Sequence, residues 1–88
     1  MRYVIDLKDV QSKEDFHDRI EEGFDCPDYY GRNLDALYDV LTDEVEDVEI
    51  YFTNAADMAE NMDKYYDAFV EMCEEVQQDY ENITIVIE

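Results

Sequence analysis

The sequence is poor in cations, glycine and proline, and it has no tryptophan. Only six Lys and Arg residues stand against 26 Asp and Glu residues, so the formal net charge is −20 over 88 residues. Nucleic acids and anionic membrane surfaces are bound by cationic side chains, so this balance argues against both as ligands. It favours a partner with a basic surface, because opposite electric fields raise encounter rates.

The motifs of common metal and catalytic sites are also missing. There is no DxDxDG loop, no HExxH motif and no CxxC motif. The only histidine is His17 and the only serine is Ser12. A packing or surface role suits this histidine better than that of a lone general base, and helix capping explains the serine. We therefore expect no metal, no cofactor and no enzymatic activity.

Cysteine is scarce and apolar runs are short. Cys26 and Cys73 lie far apart, and we interpret both as reduced thiols, with Cys73 in the core. The acidic residues Asp6 and Asp9 interrupt the N-terminal segment before it contains the apolar stretch of a signal peptide, so we expect no signal peptide. No uncharged run approaches the length of a membrane span. These features predict a cytoplasmic protein.

The apolar content is nevertheless that of a folded chain. Hydrophobic residues make up 47% of the sequence, with eight Tyr and four Phe. The length allows one core, so we expect a single domain over residues 1–88. The few breaker residues, Gly23, Pro27 and Gly31, lie close together. The segment 23–32 is therefore the clearest loop in the sequence.

Three runs rich in β-branched and aromatic residues predict strands over Tyr3–Leu7, Val48–Thr53 and Ile83–Ile87. The third is almost wholly apolar, which is typical of a strand buried on both faces. Strands separated by helices pair in parallel. The sequence thus predicts a compact α/β domain in which about four helices pack on a three-stranded parallel sheet, with the strand order left open.

Helical spacing of apolar residues predicts the segments between the strands. Ser12 is a candidate N-cap of a first helix that Gly23 ends, and Asn33 is a candidate N-cap of a second. A third, short helix is predicted over Ala55–Met62. The apolar face of the second helix is formed by Leu34, Leu37, Leu41 and Val45, and that of the last helix by Tyr65, Phe69, Met72, Cys73, Val76 and Tyr80.

Acidic residues follow a second face of the second helix. At about 100° per residue this face lies roughly 130° from the apolar one, and Tyr38 stands at the seam between them. Its members are Asp35, Asp39, Thr42 and Glu46. Like charges four residues apart destabilise a helix by about 0.2–0.5 kcal/mol per pair. Two interpretations stay open: a solvated face in a very acidic protein, such as one adapted to high salt, or a surface kept acidic for a cationic partner.

The loop before that helix carries two aromatic residues beside a glycine. Tyr29 and Tyr30 precede Gly31, and tyrosine is a favoured anchor in protein interfaces. We expect one of the two rings to be exposed and the other to fold onto the core.

The run Pro27–Thr42, PDYYGRNLDALYDVLT, resembles the PxYYGxNLDALxDxLT signature of barstar-like proteins. These are intracellular inhibitors of barnase-type ribonucleases, and their fold is a three-stranded parallel sheet with four helices. The resemblance extends more loosely over the whole chain, including the final strand. It departs at Glu44, where the family often has an aromatic residue, and at Tyr38, where tryptophan is familiar.

The resemblance implies a binding mode. The loop and second helix would plug the active site of a basic ribonuclease, with Asp39 in the place of a substrate phosphate and Tyr29 on the catalytic histidine of the enzyme. Glu75 on the last helix would be a peripheral acidic contact. The complete set of expected partner-binding residues is Tyr29, Tyr30, Gly31, Asn33, Leu34, Asp35, Tyr38, Asp39, Thr42, Glu46 and Glu75.

The sequence therefore predicts an inhibitor that is a monomer when free and that serves as an immunity protein or antitoxin against the nuclease. The alternative is an acidic adaptor that binds a basic protein without nuclease activity through the same face.

Overall fold

Strands and helices alternate along the chain in the predicted order. The computed structural model describes residues 1–88, and its elements are β1 (Arg2–Asp6), α1 (Lys13–Gly23), α2 (Leu34–Thr42), β2 (Val48–Thr53), α3 (Ala55–Asn61), α4 (Asp63–Asp79) and β3 (Ile83–Ile87). The strands form one parallel sheet in the order β1-β2-β3. The predicted α/β fold with a three-stranded parallel sheet and four helices is confirmed.

The sheet is buried on one face only. Side chains such as Ile5, Ile50 and Ile83 point into the core, whereas Val4 and Thr84 on the other face are exposed. The prediction that β3 is buried on both faces is wrong, because β3 is an edge strand and the helices cover a single side of the sheet. Apolar composition alone did not distinguish these two situations.

Gly23 lets α1 approach β1 closely. A Cβ atom at this position would lie 2.8 Å from Cγ1 of Ile5, which is too short for a contact, and 3.0 Å from the carbonyl oxygen of Val4, which is tighter than an ordinary contact. At the other end of α1, Oγ of Ser12 accepts a hydrogen bond of 3.1 Å from the amide of Asp15, as expected of an N-cap.

Helix α2 is shorter than predicted. It begins after Asn33, whose Oδ1 accepts a hydrogen bond of 2.8 Å from the amide of Ala36, but it ends at Thr42. Val45 lies beyond the helix and is 92% exposed, so its assignment to the apolar face is wrong. Glu46 also lies outside α2. Nδ2 of Asn82 donates to the carbonyl oxygens of residues 44 and 46, and this holds the segment in a non-helical path toward β2.

Helix α4 supplies the apolar stripe that the sequence predicted. Phe69, Met72, Cys73 and Val76 are buried, and Tyr65 and Tyr80 at its ends are half-buried. Burial raises the pKa of the Cys73 thiol to about 12, so this group stays protonated as a core residue. Both cysteines are free thiols. None of the helices combines the length and the apolar character needed to cross a membrane.

Candidate partner-binding site

The loop between α1 and α2 continues directly into α2, and together residues 28–42 form what we call the loop–α2 surface. Tyr29 is the most exposed aromatic residue there, with 88% of its surface accessible, whereas Tyr30 is 8% exposed. The two adjacent rings therefore point in opposite directions, one to solvent and one to the core. Since Tyr30 is buried, its ring does not offer a contact surface to a partner.

Tyr30 is held inward by a buried histidine. Its hydroxyl lies 2.6 Å from Nδ1 of His17, and Nε2 of the same imidazole lies 2.8 Å from the hydroxyl of Tyr65 on α4. A neutral imidazole has one donor and one acceptor nitrogen, so both nitrogens are satisfied. Burial lowers the pKa of His17 to about 4, and the nearby Arg32 charge acts in the same direction. His17 is thus a packing residue, one of the two roles that the sequence favoured.

Asp39 is exposed on α2, and its carboxylate makes no hydrogen bond or ion pair within the chain. It lines the same cleft as Tyr29, with a volume of about 510 Å³. The other lining residues are Phe24, Asp25, Pro27, Val40, Asp43 and Glu44. The cleft therefore combines four carboxylates with apolar side chains, a combination that suits a cationic group carried on an aliphatic or aromatic stem.

A second groove runs between α2 and α4. It has a volume of about 460 Å³ and is lined by Leu34, Asp35, Tyr38, Ala68, Glu71, Met72 and Glu75. The hydroxyl of Tyr38 lies 3.5 Å from Oδ2 of Asp79, and its ring meets Tyr80 edge-on at 6.4 Å between centroids. This groove brings Glu75 to the same side of the molecule as Asp35, although 40 residues separate them in the sequence.

The remaining residues expected to bind a partner differ in how exposed they are and in whether they line the cleft or the groove. Gly31 and Asn33 are exposed in the loop. Thr42 is half-buried, and its Oγ1 donates a hydrogen bond of 2.8 Å to the carbonyl oxygen of Tyr38 in its own helix. Glu46 is exposed but lines neither the cleft nor the groove.

Arg32 is a residue of this surface that sequence reasoning missed. Its backbone is left-handed, with a φ of 55°, and its guanidinium contacts Oδ1 of Asp18 at 2.7 Å and Oε1 of Glu21 at 2.8 Å. A cation between a glycine and an N-cap residue, in a chain with six cations, was the available signal. The acidic residues with which it pairs lie on α1 and could not be identified from the sequence alone.

A family model described as Barstar (barnase inhibitor) matches residues 1–88. The chain belongs to the barstar family. It is also 49% identical over 45 residues to a protein of Bacillus subtilis (strain 168) described as "Putative ribonuclease inhibitor YrdF". That alignment covers 51% of this chain and 50% of the relative, so it spans about half of each.

Membership of the barstar family confirms the resemblance found in the signature Pro27–Thr42. It supports a role like that of a barnase inhibitor.

Proposed function

We propose that the chain inhibits a barnase-type ribonuclease by inserting the loop–α2 surface into the active site of the enzyme. The single observation that carries this proposal is the cleft where exposed Tyr29 and the unpaired carboxylate of Asp39 lie together. A ribonuclease active site is a concave, cationic pocket built for phosphate. The complementary surface is anionic and carries an exposed aromatic ring, and the cleft between Tyr29 and Asp39 can accept a cationic side chain of the enzyme.

Asp39 is suited to the place of a substrate phosphate. Its carboxylate has no partner in the free protein, so docking breaks no internal ion pair. The residue stands on a regular helix, so little backbone freedom is lost when it binds. Charge-assisted hydrogen bonds from arginine to such a carboxylate are short and strong.

The rest of the surface would contact the rim of the enzyme's pocket. Asp35 and Glu75 both line the groove between α2 and α4, where they can meet cationic side chains at the edge of the interface. Tyr29 would pack on a flat ring such as an active-site histidine. The net charge of −20 would accelerate association with a basic enzyme at low ionic strength.

In this proposal the chain acts in the cytoplasm of the cell that makes the nuclease, as an immunity protein or antitoxin. It binds as a monomer, without a metal or cofactor. The extra acidic residues of the cleft, Asp25, Asp43 and Glu44, favour an enzyme with additional cations opposite them.

The direct test is titration of the purified chain into barnase, with cleavage of a fluorescent RNA as the readout. We expect stoichiometric loss of cleavage. Asp39→Ala should weaken binding at least about thirtyfold, as expected for the loss of a buried interface anchor of about 2 kcal/mol or more. Glu60→Ala removes one exposed carboxylate from α3 and is the matched control.

Two results would contradict the proposal. One is unchanged RNA cleavage by barnase and by related basic ribonucleases at saturating concentrations of the chain. The other is equal affinity of Asp39→Ala and Glu60→Ala. Tight binding to a basic protein without nuclease activity, with the ribonucleases unaffected, would instead support the acidic adaptor.

A further inference from the structure

Arg32 has an unusual backbone for its residue type. It stands between Gly31 and the N-cap residue of α2, and its φ of 55° is left-handed, whereas the φ of the neighbouring glycine is not positive. Residues with a Cβ atom adopt this conformation infrequently because the Cβ crowds the backbone. The surrounding contacts must therefore hold Arg32 in place.

Those contacts all come from α1. Nη1 of Arg32 donates to Oε1 of Glu21 at 2.8 Å, and Nη2 donates to Oδ1 of Asp18 at 2.7 Å and to the carbonyl oxygen of Glu14 at 3.1 Å. The Arg32 side chain is only 33% exposed. Three acceptors on one helix thus fix a single guanidinium, and the two carboxylates among them neutralise the one cation of the loop.

A second connection fixes the other side of Gly31. The buried hydroxyl of Tyr30 contacts His17 on α1, and the same imidazole contacts Tyr65 on α4. Residues 30 and 32 are therefore both attached to α1, while Tyr29 beside them has no hydrogen bond and is almost fully exposed.

We propose that Arg32 is a positioning residue for partner binding. Its ion pairs with Asp18 and Glu21, together with the contact between Tyr30 and His17, hold the loop in the conformation that presents Tyr29. Because the loop is ordered before docking, the complex avoids that entropic cost. This inference rests on the proposed function, since it concerns the same surface.

Because Arg32 is positively charged, a role in positioning and a role through net charge predict opposite changes in affinity when the residue is replaced. If only net charge mattered, removing a cation from the inhibitor would tighten its complex with a basic enzyme. Positioning predicts the opposite. We expect Arg32→Gln to accelerate dissociation from barnase about tenfold, which corresponds to about 1.4 kcal/mol. Lys8→Gln removes the same charge from an exposed side chain that makes no hydrogen bond or ion pair, and it should not accelerate dissociation.

A double-mutant cycle separates positioning from direct contact. If Arg32 acts through Tyr29, the effect of Arg32→Gln on dissociation should largely disappear in the background of Tyr29→Ala. A general loss of stability would persist in that background.

Hydrogen exchange of the free protein gives a readout that needs no partner. The amide of Tyr30 donates a hydrogen bond of 3.0 Å to the carbonyl oxygen of Pro27 within the loop. Arg32→Gln should raise its exchange rate about tenfold, while core amides of β2 exchange as in the wild type.

The outcomes separate the two proposals. Three results would overturn the positioning role. The first is an unchanged exchange rate of the Tyr30 amide in Arg32→Gln, and the second is dissociation of Arg32→Gln as slow as that of Lys8→Gln. The third is an equal effect of Arg32→Gln on dissociation in the wild type and in Tyr29→Ala. Failure of the wild-type chain to bind barnase and related basic ribonucleases, combined with faster exchange in Arg32→Gln, would contradict the ribonuclease proposal and leave the ordering of the loop by Arg32 supported.

Discussion

Acid should destabilise this protein through its single histidine. His17 is buried, and its pKa of about 4 lies below the value of 6.5 for an unperturbed histidine. Asp18 and Glu21 on the same helix act to raise this pKa, but burial and the charge of Arg32 outweigh them. Protonation would also leave the imidazole with two donors, and both tyrosine hydroxyls would have to accept.

The sign and size of the effect follow from proton binding. Between pH 6.5 and 4 His17 is protonated in the unfolded chain but remains neutral in the folded chain, so the free energy of unfolding falls as the pH falls. Above pH 6.5 the neutral His17 makes its full contribution to the free energy of unfolding. A depression of the pKa by about 2.5 corresponds to about 3 kcal/mol in total, of which about 2 kcal/mol is lost by about pH 5.

Urea unfolding at about pH 7.5, 6 and 5 measures this loss. Protonation of the many carboxylates relieves their mutual repulsion over the same range, so the wild type must be compared with His17→Gln, whose amide is neutral throughout. We expect the stability difference between the two proteins to shrink by about 2 kcal/mol from the highest of these pH values to the lowest.

Proton NMR provides an independent value, because the chain has one histidine and hence one imidazole titration. A midpoint near 6.5, the unperturbed value, in the folded protein would refute the reasoning. So would a stability difference between wild type and His17→Gln that does not change with pH.

Three further predictions concern stability and charge. Gly23→Ala should destabilise the fold by about 1–3 kcal/mol in urea unfolding, because its Cβ would overlap Ile5 and the backbone of β1; an unchanged midpoint would contradict that close approach. Asn33→Ala should cost about 1 kcal/mol by loss of the N-cap, whereas Asn33→Asp should retain most of the stability, and equal losses would argue against capping. Moderate NaCl should raise the melting temperature of the free chain by screening its charge of −20, and a lower melting temperature would show that repulsion among the carboxylates does not limit its stability.

Local signals in the sequence predicted much of the fold. The N-caps at Ser12 and Asn33 act over three residues, and the strands and the stripe of α4 have regular periods, so all of these could be recognised without tertiary contacts. The signature Pro27–Thr42 is likewise a continuous stretch of sequence, so it identified the candidate surface without knowledge of tertiary contacts.

Features that depend on distant residues were not predictable. The non-helical path of the chain around Val45 is held by Asn82, which lies 36–38 residues from the carbonyl groups it binds. The opposite orientations of Tyr29 and Tyr30 were expected, but which ring is buried depends on His17 and Tyr65, which come together only in the folded chain.

The bare side of the sheet has a consequence for how the protein melts. All 20 buried apolar residues belong to one cluster on the other side, shared by the three strands and the four helices. If the helices detached from the sheet, no second hydrophobic core would remain to keep part of the chain folded. The chain should therefore lose its structure in a single cooperative transition, and near-ultraviolet and far-ultraviolet circular dichroism should follow the same curve.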